Sequence, residues 1–162
     1  MKPAISLVCL LLFLSISVLS KARDSQHNRN PNPAGRWIKG DELKALFFNQ
    51  TAIGEYHSVN GGIKSDQFTE YHRPDGTTDY IELGQKTEKG LWWLVGGDRI
   101  CYRYPGNKVF NRTYCFFIFK REQCYYNYSF GAMSLKGPRN PDWWTSRFII
   151  KGKGGSCEAP VG

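Results

Sequence analysis

Short stretches of alternating apolar and polar residues run through most of this chain, cut at regular intervals by turn residues. Alternation of period two is the mark of a half-buried β-strand. Residues 51–57 show it and end at Asn60-Gly61-Gly62. Residues 67–73 lead through Pro74-Asp75-Gly76, a tight-turn triplet, into 77–83. Strands follow over 90–95 and 99–104, stopped by Gly96-Gly97-Asp98 and Pro105-Gly106-Asn107. Residues 113–120 and 125–130 are joined across Arg121-Glu122-Gln123, and 147–151 make the last strand. One segment has a helical period: over 41–48, Leu43, Leu46 and Phe47 fall at i, i+3, i+4, with Asp41 and Glu42 at the positive end of the dipole. The pattern predicts a mainly β fold: an antiparallel meander forming a small barrel or a strongly curled sheet, with one short N-terminal helix plugging one side.

The amino terminus reads differently. Lys2 gives a basic start, an apolar run follows over 5–19, and Ser20-Lys21-Ala22 has the small residues a signal peptidase requires. Residues 1–22 are therefore expected to be a signal peptide, cut after Ala22 or else after Ser20, with an uncleaved anchor as the alternative. The run is short of the roughly 20 apolar residues of a membrane-spanning helix. Residues 23–35 are polar, rich in Asn and Pro, and are expected to be a disordered lead-in. That leaves a single β domain over 36–162. The whole chain carries a net charge of +8; without residues 1–22 it is 20 basic against 14 acidic residues, or +6, over 140 residues. The basic residues are scattered among acids, so the excess suits solubility rather than nucleic-acid binding.

Export turns the cysteines into candidate staples. Cys9 falls in the signal; Cys101, Cys115, Cys124 and Cys157 remain, and four cysteines allow three pairings. If 105–111 is a hairpin loop, Cys101 and Cys115 are equidistant from its centre and nearly opposed, within disulfide reach. Cys124 then pairs with Cys157. The alternative, a metal site or redox dithiol, has no CxxC and no zinc spacing to support it, so no metal and no cofactor is expected.

Leu43-Lys44-Ala45-Leu46-Phe47, Thr51, Phe68-Thr69-Glu70-Tyr71 and Pro74-Asp75-Gly76 are followed by Gly90-Leu91-Trp92-Trp93, by residues 97–105 around Cys101, and by Tyr114-Cys115. This order resembles a family of small exported bacterial proteins, a domain of unknown function built around a G-x-W…C…C core. The likeness runs from Trp37 to Phe130. It implies a compact β domain, a periplasmic address and a Cys101–Cys115 bridge, and no reaction. The Cys124/Cys157 pair and the Gly/Pro/Trp-bearing tail depart from the family pattern. Asn49, Asn111 and Asn127 head glycosylation acceptor triplets; a bacterial source implies that they stay unmodified.

Chemistry has few places to reside. Glu70, Asp75, Asp79 and Glu82 lie on two neighbouring strands with His72, and alternation puts Glu70 and His72 on one face with Tyr80 and Glu82 opposite them. Carboxylate, imidazole and phenol together suit acid–base work; the plainer reading is a polar outer face of the sheet. Trp92-Trp93 and Trp143-Trp144 are adjacent pairs, so within a strand one ring of each faces the core and one the far side. Tyrosines cluster on the later strands. Amphipathic rings suit saccharides, flat apolar ligands and protein interfaces. The expectation is a periplasmic or secreted binding protein for an envelope saccharide, a small apolar ligand or an envelope protein, with Trp93, Trp143, Trp144, Tyr102 and Tyr126 as candidate ligand-binding residues. A weak hydrolase or isomerase using Glu70 and His72, or a structural or inhibitory envelope protein, is the alternative.

Overall fold

A computed structural model describes residues 33–57, 67–82, 85–106 and 111–157. The expected signal peptide and the lead-in as far as Asn32 lie outside the described residues. Ala34, within the expected lead-in, is buried. The elements run β1 (Arg36–Ile38), α1 (Gly40–Phe47), β2 (Gln50–Tyr56), β3 (Gln67–His72), β4 (Thr77–Glu82), β5 (Glu88–Val95) and β6 (Arg99–Arg103). They continue with β7 (Tyr114–Arg121), β8 (Cys124–Ser129), a 3-10 turn (Phe130–Ala132), the two-residue strands β9 (Met133–Ser134) and β10 (Gly137–Pro138), and β11 (Ser146–Ile150).

Each strand from β2 to β8 pairs antiparallel with the next, and β11 lies between β8 and β2. The meander therefore closes into an eight-stranded barrel, which removes the exposed edges of an open sheet. Long β7 serves two neighbours on one side, pairing with β6 over Tyr114–Phe116 and with β1 over Ile118–Lys120. Helix α1 sends Leu43, Leu46 and Phe47 into a buried cluster with Ile38, Ile100, Ile118 and Ile150, which forms the floor.

Alternation puts one residue in two inside. On β3 the buried positions are Phe68, Glu70 and His72; on β11 they are Ser146, Phe148 and Ile150. Trp92 is buried and Trp93 exposed, as adjacent strand residues must be. Residues Phe117, Ile118 and Phe119 on β7 are buried on both faces, because a second cluster covers the outside. There Trp37 packs on Phe117 and Phe119, both at 5.5 Å, with Ala34, Ala132, Met133 and Tyr128 around them. A doubly covered strand reads as a continuous apolar run, and Phe116-Phe117-Ile118-Phe119 is one.

Both expected disulfides form. Cys101 and Cys115 are directly opposed in the β6–β7 register, and Cys124 at the start of β8 holds Cys157 in the tail. Closed loops of these lengths stabilise a chain by about 3 and nearly 4 kcal/mol. Replacing Cys124 and Cys157 together with Ser is expected to lower the unfolding free energy by about 2–4 kcal/mol in a urea melt, with folding retained.

Candidate functional site

Above the floor the barrel is not filled. A cavity of about 560 Å³ lies between the strands, walled by Phe47, Ala52, Phe68, Phe116 and Phe148 and by five tyrosines, Tyr56, Tyr80, Tyr102, Tyr104 and Tyr114. Its mouth carries Glu82, Gln85, Lys86 and Glu88 at the β4–β5 connection, opposite the helix.

Glu70 stands in this wall, 5 % exposed. Its placement corrects the reading of Glu70 and His72 as part of a polar outer face. Alternation correctly puts them on one side, and closure of the sheet makes that side the inside. Tyr104 Oη donates to Glu70 Oε1 at 2.6 Å. The Thr78 hydroxyl, 3.0 Å from the same oxygen and 2.9 Å from the Tyr71 carbonyl, has one hydrogen for the two. The Tyr104 ring reaches Glu70 on β3 by lying across Gly90 on β5. A Cβ there would meet Tyr104 Cδ1 at 2.6 Å, so the glycine makes room for the contact. Upstream, the Pro74–Gly76 turn is held to β5 by Trp92, whose backbone N donates to the Gly76 carbonyl and whose indole donates to the Arg73 carbonyl.

Burial pushes the Glu70 carboxyl up to about 7, against the Tyr104 and Thr78 hydrogen bonds, which favour the ionised form. Burial pushes His72 down to about 4. Its Nδ1 faces the Gln50 carbonyl at 3.4 Å and so carries the hydrogen, leaving Nε2 to accept from Tyr102 Oη at 2.9 Å. His72 Nε2 and Glu70 Oε2 are 3.9 Å apart, yet the two groups are never charged together: both are neutral between about pH 4 and 7. The contact is not an ion pair. His72 is packed between Phe47 and Trp92 and does not line the cavity, so it cannot act beside Glu70 on a bound molecule. Burial also raises Tyr102 and Tyr104, which stay protonated donors. Nearer the mouth, Tyr80 donates to Glu82 at 2.5 Å and receives the Tyr56 hydroxyl at 2.9 Å.

Asn127, on β8, also lines the cavity. Its Nδ2 donates to Ser146 Oγ at 2.6 Å, and its buried Oδ1 has no donor. A side chain turned into the barrel is closed to glycan attachment in the folded state.

Of the five candidate ligand-binding residues expected from sequence, Tyr102 lines the cavity, as do Glu70, Tyr80 and Glu82 of the acid–base alternative. The other four candidate ligand-binding residues are outside the barrel. Trp93 stands opposite Cys101 on the outer face, half-exposed, and Trp143 is 56 % exposed before β11. Trp144 stacks on His57 at 4.0 Å and packs near-perpendicular to Tyr126, over whose ring Arg121 lies at 3.7 Å. The cavity also brings in Tyr104, Phe148 and Asn127, which were not among the ligand-binding or acid–base candidates. A local signal for Glu70 exists: Phe68-x-Glu70-x-His72 shares its parity with apolar Phe68, so the large ring marks which side is in.

Among the described residues no cluster of His, Cys, Asp or Glu is arranged to hold a metal, and no helix is long and apolar enough to cross a membrane. Comparison with protein-family models, curated proteins and solved structures returns no match for this chain.

Between about pH 4.5 and 6.5 an unfolded chain carries ionised Glu70 and protonated His72, while the folded one holds both neutral, so folding takes up no net proton at this pair. Each variant alone exposes one slope. In His72→Gln the raised Glu70 remains, and stability falls as pH rises from about 4.5 to 7. In Glu70→Gln the lowered His72 remains, and stability rises from about pH 4 to 6.5. Each slope approaches about 1.4 kcal/mol per pH unit, measured by denaturant melts across that range. Tyr104→Phe removes a hydrogen bond that favours the carboxylate. It is expected to raise the Glu70 titration midpoint above about 7 in carbon-detected NMR, and an unmoved midpoint would remove Tyr104 from this role.

Proposed function

We propose that this chain is an exported binding protein that takes one small, mainly apolar ligand into its barrel. The observation that carries the reading is the cavity itself. Its volume lies in the range that encloses a small ligand, and its walls are mainly aromatic, with the Tyr hydroxyls, Glu70 and Asn127 set among the rings and the charged groups Glu82, Lys86 and Glu88 at the mouth. An eight-stranded barrel is just wide enough for its own side chains or for one small guest. Here the small side chain of Ala52 lines the cavity, where a larger one would fill part of the space. The two disulfides suit an oxidising compartment, so a periplasmic or secreted setting belongs to the same proposal.

A binding reading is preferred to an acid–base enzyme because the cavity offers Glu70 and phenols without the imidazole that would share the work. A saccharide or protein partner would instead use the outer patch at Trp143 and Trp144.

The test uses the neutral fluorophore N-phenyl-1-naphthylamine. Saturable one-to-one binding with a blue-shifted emission is expected, weakened at least about fivefold by Ala52→Leu, which narrows the cavity. Trp143→Ala is expected to leave it unchanged. Absence of saturable binding, or loss of it in Trp143→Ala alone, overturns the proposal.

A further inference from the structure

We infer that the guest is a small primary amine with an apolar body, its ammonium seated on Glu70 and a hydrogen-bond donor at its far end on Asn127. This rests on the barrel-cavity reading above and deepens it.

Glu70 is half satisfied by the protein. Tyr104 and Thr78 converge on Oε1, whereas among the described residues Oε2 has no hydrogen bond and faces His72 Nε2 at 3.9 Å, a nitrogen already engaged by Tyr102. A buried carboxylate is costly unless a cation or further donors complete it, and an ammonium supplies both. The rings around it suit that charge. Tyr104 packs against Tyr80 at 5.4 Å and against Tyr102 at 6.4 Å, and aromatic faces attract cations.

Asn127 is the independent observation. It is 8 % exposed, lies three strands round the wall from Glu70, and its Oδ1 is an acceptor that no donor meets among the described residues. Such an atom is rarely left unpaired. An amide oxygen accepts, so the far end of the guest must donate, as a hydroxyl or N–H does.

Charge points the same way. The chain is strongly basic as a whole, at +8, yet the cavity is lined by Glu70, Glu82 and Glu88 against Lys86. An anionic guest meets the wrong sign, and a neutral apolar one leaves Oε2 and Oδ1 unmet.

The titratable groups facing Glu70 are His72 on β3, Tyr80 on β4, Tyr102 on β6, Tyr104 just past the end of β6 and, through Tyr80, Tyr56 on β2; Glu82, Lys86 and Glu88 carry the charge of the mouth. His72 is neutral and Tyr80, Tyr102 and Tyr104 stay protonated between about pH 6 and 8, so the change in the wall over that interval is at Glu70.

The experiment displaces N-phenyl-1-naphthylamine with tyramine and with 4-ethylphenol, which is tyramine without its amine. At about pH 8 tyramine is expected to bind at least about tenfold more tightly, and Glu70→Gln to bring the two within about twofold while the fluorophore still binds. Lowering the pH of the wild type to about 6 should weaken tyramine about tenfold and leave 4-ethylphenol unmoved, which decides the matter if Glu70→Gln does not fold. Replacing tyramine by 2-phenylethylamine, which lacks the phenol, should cost about threefold or more; equal binding removes Asn127 from the site. Equal displacement by tyramine and 4-ethylphenol, or a preference that survives in folded Glu70→Gln or at low pH, overturns the amine inference and leaves the cavity reading standing. If the fluorophore does not bind the wild type at all, the cavity reading fails with it.

Discussion

The double pairing of β11 is the constraint on which the rest of the structure depends. This strand bonds to β2 along its whole length, from Ser146 opposite Tyr56 to Ile150 opposite Ala52, and to β8 over Ser146–Phe148. Open that seam and the sheet keeps its strands but loses its inside. Glu70 and Asn127 would be wet, the tyrosines would be surface residues, and there would be no cavity. What holds the seam is a matter of magnitude. Burying Phe148 contributes about 2–3 kcal/mol and each ladder hydrogen bond about 1. The ion pair from Arg147 to Glu55 across it is part-exposed and worth at most about 1. Packing and pairing close the barrel; the charges help to set the register.

Closure also explains why a polar group sits where apolar ones are cheaper. In an open sheet Glu70 would have water. Inside, it has one phenol, a shared hydroxyl and a neutral imidazole at 3.9 Å, and the carboxyl answers by holding its proton to about neutral pH. The same burial keeps His72 neutral, so the two groups coexist without an ion pair. Gly90 belongs to this arrangement as much as the residues that carry chemistry, because only a missing side chain lets the Tyr104 ring cross β5 to the carboxyl. The site is therefore spread over four neighbouring strands, from β3 to β6, with Asn127 facing it from β8.

Much of the fold is legible from local pattern. The helix and the principal strands fall within a residue or two of their expected bounds, because turn chemistry and period-two alternation are properties of a few consecutive residues. Short β1, at Arg36–Ile38, and the β9–β10 hairpin are less visible: three or two residues carry no period, and they form because β7 and the outer cluster receive them. Conspicuous rings were a poor guide to the inside. Trp143, Trp144, Trp93 and Tyr126 lie outside the barrel, while Tyr104, Tyr80 and Phe148 enclose the space.

By itself the sequence determined the eight principal strands, their antiparallel order, helix α1 and both disulfides, since hairpin spacing places Cys101 opposite Cys115 and leaves Cys124 for Cys157. It also determined that Glu70 and His72 share a face. Only the tertiary structure decided which face that is, and that the meander closes rather than curls. Alternation reports relative side and not absolute side, and the β2–β11 side of the seam joins segments far apart in sequence, for example Arg147 with Glu55, 92 residues apart. No local pattern encodes that meeting. The barrel interior, and whatever it binds, exists because those ends find each other.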